Sequence, residues 1–293
     1  MGDRNFNHFL LPTDFSEENA RAIEYGVHMS SVLRGELYLQ HILPVSITTG
    51  SIAKKKVHTK EEQNAQQALA EIKKSIRSGK WWGDDDSGIK KIHLRLGRGS
   101  VAQEIVKESQ SDCDLLIMGT KGQGGIKTKL FGTNTQNVID IVDKPVLVVP
   151  SKASETYKTE KVLYIVNLDV DIDASLMHVI HFCKLFDAEL IIAHINILKS
   201  KSDMTDLVAS EKMRGDLVKK CKIAQSYKKS SYRVINSIET SFDKTVNDFV
   251  LENGVDLVSL VKRKSNILQY LFRKSISKQL ALHTLIPVLI FHE

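Results

Sequence analysis

The sequence predicts a two-domain α/β protein in which each domain is a five-stranded parallel sheet with helices on both faces. Three observations carry this. Short runs rich in Leu, Ile and Val alternate with segments of helical periodicity, as expected for buried strands joined by crossover helices. The alternation occurs twice. A chain of 293 residues also suits two domains of ordinary size better than one.

The repeat is read in two registers. His8-Phe9-Leu10-Leu11-Pro12-Thr13-Asp14 corresponds to Lys161-Val162-Leu163-Tyr164-Ile165-Val166-Asn167, and the same offset carries Gly35–His41 onto Ala188–His194. Nearer the ends the offset is smaller. Asp114-Leu115-Leu116 meets Asp256-Leu257-Val258, and Lys144–Val148 meets Ile286–Ile290. The first copy therefore holds about eleven extra residues, expected in its 45–90 region. A period of about 145 residues describes two domains and not a solenoid. The bounds are 1–150 for the first, 151–158 for a polar linker after Pro150, and 159–293 for the second.

In the first copy, strand one is expected over 6–12. Ser16 before Glu17-Glu18-Asn19 marks a helix start, with acid in the first turn favoured by the helix dipole. Ala20–Leu33 follows as helix, with Ala22, Ile23, Tyr25, Gly26, Met29 and Leu33 on one face. Strand two is 36–42. Glu61–Arg77 is helical, with Ala65, Ala68, Leu69, Ile72 and Ile76 as its apolar stripe. The loop Gly79–Gly88 contains Trp81, Trp82 and Asp84-Asp85-Asp86. It lacks the spacing of an EF-hand and predicts a solvated turn. Strands three, four and five are 90–96, 114–119 and 145–149, and a helix spans Asn134–Asp143.

Composition narrows the function classes. Apolar content of 42% with 26% charged residues describes a soluble globular chain. The net charge of +6 comes with no basic-aromatic recognition motif, so nucleic-acid binding is not expected. Cys113, Cys183 and Cys221 are odd in number and show no C-x-x-C spacing, which excludes a disulfide framework and fits a reducing cytoplasm. The N-terminus leads straight into a strand, which predicts no secretory leader. No apolar run approaches the roughly 20 residues of a membrane span.

The segment richest in chemistry is Gly119-Thr120-Lys121-Gly122, followed ten residues later by Gly132-Thr133. It directly follows the apolar run Leu115–Met118. Glycines at a strand exit let backbone N–H groups approach an anion and reach positive φ at little steric cost. The Thr133 hydroxyl adds a donor, and the helix after it turns its N-terminus toward the same anion. The pattern predicts a phosphate cradle. Gly119-x4-Gly124 is not followed by Gly-Lys-Ser/Thr, so it is no P-loop. No Ser-Gly-Gly-x-Asp-Ser run follows strand one. No Ser-His-Asp triad is apparent from the sequence, and no residue is an evident base for fast ATP hydrolysis.

These residues resemble the universal stress protein family. Leu10–Ser16 looks like that family's first strand and loop, Gly119-x2-Gly122-x9-Gly132-Thr133 like its ATP-binding motif, and Asn137–Pro150 like its last helix and strand. The resemblance covers both repeats and implies a tandem universal stress protein of UspA-like type. Its fold would be Rossmann-like (adenine nucleotide alpha hydrolase-like), with nucleotide at the carboxyl ends of the strands, where strand order reverses. It implies an ATP-binding, regulatory or stress-response role without efficient catalysis, and no catalytic residue is assigned.

The site roles that the resemblance implies are these. Pro12 and Thr13 shape the first loop. Asp14 meets the ribose or a phosphate-bound cation such as Mg2+, with no protein metal site beyond it. Ile42 contacts adenine through its backbone. Met118, Gly119 and Gly122 pass close to the ribose and phosphates. Gly132, Thr133 and Asn134 hold the phosphate tail. The resemblance also implies that the two repeats form an intramolecular pseudo-dimer, and it allows a homodimer of chains.

Copy two departs from the motif. Val261, Lys264 and Lys274 stand where Gly119, Gly122 and Gly132 are expected, Ser275 replaces Thr133, and Asn167 replaces Asp14. A left-handed backbone is costly for any of the substituted residues, most of all for Val261, so nucleotide is expected in the first repeat only. Lys262, Arg263, Lys264, Arg273 and Lys274 bracket an apolar Leu268–Phe272 stretch. This segment reads either as an anion- or partner-binding loop or as a solvated loop of a degenerate repeat. His41 and His194 recur at one repeat position, which predicts packing over chemistry. Two other functions stay open on the residues alone: a nucleotide-free scaffold or protein-interaction module, and a slow ATPase.

Overall fold

A computed structural model describes residues 6–44, 54–79, 88–120, 133–153, 157–166, 173–197, 207–237, 242–262 and 286–292. The loop with Trp81, Trp82 and the three aspartates lies outside them. The chain divides into two compact units after Lys152.

The first unit runs β1 (His8–Pro12), α1 (Glu17–Val32), β2 (Glu36–Leu43), α2 (Lys54–Arg77), β3 (Lys91–Arg98), α3 (Val101–Asp112), β4 (Leu115–Gly119), α4 (Thr133–Ile141) and β5 (Val146–Val149). Its strands are parallel, in the order β3-β2-β1-β4-β5. The chain moves outward from β1 to β3, then returns to the other side of β1 as β4. Strand order therefore reverses between β1 and β4, and a crevice opens there at the carboxyl ends.

The apolar runs become core. Phe9, Leu10, Leu11, Leu115, Leu116 and Ile117 are all essentially inaccessible, and each buried side chain of this size contributes about 1.5–3 kcal/mol. On α1, Ala22, Ile23, Tyr25, Gly26 and Met29 are buried as expected, whereas Leu33 lies one residue past the helix end. Ser16 does precede α1 in an extended conformation, but its hydroxyl is not the cap. Instead it donates to Asp14 Oδ1 at 2.6 Å, and only the Ser16 carbonyl serves the helix, accepting Asn19 N–H at 3.1 Å. Helix α2 begins at Lys54, earlier than its apolar stripe suggests. The stripe itself is inward, with Ala65, Leu69 and Ile76 buried.

The second unit runs β6 (Lys161–Val166), α5 (Asp173–Leu185), β7 (Glu189–Ile197), α6 (Leu207–Lys220), a short 3-10 turn (Lys222–Ser226), β8 (Ser230–Ser237), α7 (Phe242–Asn253), β9 (Leu257–Lys262) and β10 (Val288–His292). Its order is β8-β7-β6-β9-β10, the same topology as the first.

Small features recur at matched positions. The Asp114 carboxylate accepts Asn7 N–H and His8 N–H, both at 2.9 Å. Asp256 accepts Glu160 N–H at 3.0 Å and Lys161 N–H at 2.9 Å. In each unit the aspartate thus satisfies the backbone donors at the start of the first strand, which the sheet leaves unpaired. Arg34 and Asp187 both hold positive φ, 51° and 53°, in the turn after the first helix.

Strand pairing refines the insertion. Leu37 faces Ile92, whereas Leu190 faces Ser230, separations of 55 and 40 residues. Copy one therefore has fifteen more residues between its second and third strands. The smaller net excess arises because copy two has four more between the third and fourth.

All three cysteines are free and buried. Burial pushes the Cys113 thiol up to about 12 and raises Cys183 further still. Because the thiolate is the reactive form, native protein at pH 8 is expected to take up no maleimide within minutes, while urea-unfolded protein takes up three per chain. Mass spectrometry reads the difference, and native labelling at Cys113 or Cys183 overturns the assignment. Among the described residues, no helix is long and apolar enough to cross a membrane.

Candidate functional site

The crevice between β1 and β4 is built first from the loop after β1. Thr13 N–H donates to Gln40 O at 2.7 Å, extending the β1–β2 pairing one step past Pro12. Thr13 Oγ1 then accepts Phe15 N–H at 3.1 Å. Asp14 Oδ1 accepts both Ser16 N–H at 3.1 Å and Ser16 Oγ–H at 2.6 Å. Thr13 is buried and Asp14 half-buried. The carboxylate stands at the end of β1, held by the turn that follows it.

The other wall is the end of β4. Met118 and Gly119 are buried strand residues paired with Val148 and Val149, and Thr120 N–H continues the pairing to Val149 O at 3.1 Å. Gly119 is therefore extended. Of the two reasons for glycine read from the sequence, close approach of the backbone and access to positive φ, the second does not apply at this extended position.

Helix α4 is fastened to this wall by a residue that the sequence reading passed over. Thr135 Oγ1 donates to Gly119 O at 2.9 Å in a buried contact. That bond sets the first turn of α4, with Thr133 and Asn134 exposed, against the end of β4. The first N–H groups of a helix have no intrahelical partner, so the arrangement presents donors and the positive end of a dipole beside Gly119. The signal was present as a second hydroxyl residue in Thr133-Asn134-Thr135, but only the fold gives it a partner.

Ile42 is buried near the end of β2, directly opposite Gly97 of β3. Gly97, and Gly99 two residues on, match Ile235 and Ser237 of the second unit, a correspondence that emerges only from strand pairing. The structure thus brings Pro12, Thr13, Asp14, Met118, Gly119, Thr133 and Asn134 to the carboxyl ends of β1 and β4, and Ile42 to the neighbouring β2. Gly122 and Gly132 lie outside the described residues. Among the described residues, no group of three or more His, Cys, Asp or Glu is arranged to hold a metal.

In the second unit Val261 takes the place of Gly119. It is a strand residue of β9, paired with Phe291. This corrects the expectation that valine there is strained. A β-branched residue suits an extended backbone, and what Val261 adds is bulk. Asn167, Lys264, Lys274, Ser275 and the remainder of the basic loop from Arg263 onward lie outside the described residues. His41 Nδ1–H donates to Thr13 O at 2.8 Å, and His194 Nδ1–H donates to Val166 O at 3.1 Å. A carbonyl can only accept, so both rings carry the proton on Nδ1.

The family model described as the universal stress protein family matches residues 5–150. A universal stress protein of Methanocaldococcus jannaschii is 28% identical over 158 residues, which are 53% of this chain and 88% of that protein. The crystal structure of a universal stress protein from Archaeoglobus fulgidus superposes with a TM-score of 0.72 over 98% of this chain and 96% of the other. At 18% identity that likeness speaks to fold. A further universal stress protein, solved in complex with cAMP, is 18% identical and covers 50% of this chain and 98% of its own, with a TM-score of 0.37.

Proposed function

We propose that residues 5–150, a universal stress protein domain, bind an adenine nucleotide, with ATP the expected ligand, and that the chain is a tandem, nucleotide-responsive stress protein rather than an efficient enzyme. The observation that carries the reading is the Thr135–Gly119 bond. It joins a helix N-terminus to a glycine strand end at the point where strand order reverses, a location suited to a phosphate chain. The donor set fits the group: Thr133 Oγ and the first-turn N–H groups of α4 for phosphate, Asp14 for ribose or a phosphate-bound Mg2+. Asp14 Oδ1 already takes two hydrogen bonds from Ser16, so a cation there would be held chiefly by phosphate oxygens. Ile42, beside β1, suits the base. Gly122 and Gly132 enter as further members of the cradle.

The second unit is proposed as a degenerate repeat of the same kind that binds no nucleotide. Val261 fills with side chain the strand end that Gly119 leaves open.

The test begins with purified protein, denatured and examined for adenine absorbance and nucleotide mass. Calorimetry with ATP, AMP and cAMP follows on nucleotide-free chain. One ATP per chain is expected. Two per chain overturns the asymmetry, and no binding of any of the three at millimolar concentration overturns the nucleotide reading.

A further inference from the structure

One residue in the first loop holds a conformation that its chemistry disfavours. Phe15 has φ of 63°, the left-handed region that a bulky L-residue occupies only at a cost. Strain of this kind persists where the surroundings over-determine it, and it concentrates at functional sites. The surroundings here are explicit. The Phe15 ring stacks on the His41 ring, with centroids 4.3 Å apart and planes 26° apart. Phe15 N–H is held by Thr13 Oγ1. The same His41 donates from Nδ1 to Thr13 O at 2.8 Å. His41 thus grips the loop on both sides of Asp14, by a hydrogen bond before it and by a ring stack after it.

We infer that His41 is a positioning residue for nucleotide binding: it clamps Thr13 and Phe15 so that Asp14 is presented at the crevice in one conformation. The inference rests on the nucleotide reading above and adds the device that sets the loop. It differs from plain packing in one respect. The second unit repeats the histidine bond, His194 Nδ1–H to Val166 O at 3.1 Å, while Val261 stands at its strand end. If His41 only packs, its removal should lower the unfolding temperature and leave affinity intact. If it positions, affinity should fall and the conservative His41→Asn should restore it.

The experiment measures ATP affinity by calorimetry and thermal unfolding on the full chain for parent, His41→Ala, His41→Asn, Phe15→Gly and His194→Ala. His41→Ala is expected to weaken ATP binding by about tenfold or more. His41→Asn, whose amide N–H can reach the same carbonyl, should recover much of that loss. Phe15→Gly removes both the strain and the stack, so it should weaken binding without lowering the unfolding temperature. His194→Ala should lower the unfolding temperature and leave affinity unchanged. Parent-like affinity in His41→Ala or Phe15→Gly overturns the inference while leaving the nucleotide reading intact. So does an affinity loss in His194→Ala equal to that in His41→Ala. A parent that binds no nucleotide overturns both together.

Discussion

Gly119→Val is expected to abolish ATP binding and leave the chain folded. The substitution installs in the first unit the residue that the second unit carries at the matching strand position. Gly119 is the last residue of β4, extended and paired with Val149, and Val261 occupies the matching place opposite Phe291. Valine therefore meets no backbone penalty there, and its β propensity is favourable. The loss comes from the two methyl groups, which would stand where the ribose and phosphates need to approach the backbone. Lost interactions of about 4 kcal/mol weaken binding about a thousandfold. Calorimetry should show no heat at ATP concentrations that saturate the parent, while circular dichroism and the unfolding midpoint stay close to it. Retained affinity shows that the ligand, if bound, does not pass β4. A collapsed midpoint with no folded variant means that Val261 is a poor guide to position 119.

The difference between Gly119 and Val261 was legible in the sequence, because the two halves of the chain can be aligned on one another. Strand positions were readable from continuous apolar runs such as Leu115–Met118, which need no partner to be recognised as doubly covered. The glycine spacing pointed to the end of β4 as a candidate phosphate site. What was not legible depended on side chains meeting across sequence distance. Thr135 is an ordinary helix residue until Gly119 O, sixteen residues away, is placed beside it. Ser16 satisfies every local rule for a cap, yet its hydroxyl turns back to donate to Asp14, a charge-assisted bond stronger than one between neutral groups, and no helix N–H reaches it. Val261 looked strained because glycine in a nucleotide motif suggests a left-handed backbone. Only strand pairing shows that this particular glycine is extended. Gly97 and Gly99 escaped because the repeat offset changes twice, and the intermediate offset is fixed by β-pairing alone.

The largest expected effect on stability also follows from comparing the copies. Gly35→Ala should destabilise the chain by about 1–3 kcal/mol, a large amount for a single methyl group. A Cβ at position 35 would lie 2.4 Å from Phe9 Cε2, 2.9 Å from Phe9 Cδ2 and 2.7 Å from Asn7 O. Phe9 is fully buried in β1 and has no room to withdraw. The second unit carries alanine at this place, Ala188, fully buried, and Val162 stands where Phe9 is. The ring and the missing methyl are two halves of one packing choice. Phe9→Val alone should also destabilise, since it removes buried ring atoms and leaves a cavity. The pair Gly35→Ala with Phe9→Val recreates the arrangement of the second repeat, so its cost should fall short of the sum of the single costs. Residues in contact couple by roughly 0.5–3 kcal/mol, and the coupling here should be favourable. Urea denaturation of the four species closes the cycle. Strict additivity would mean that the Ala188 environment depends on more than Val162, with the nearby Glu160 carbonyl, the counterpart of Asn7 O, as the next contact to examine.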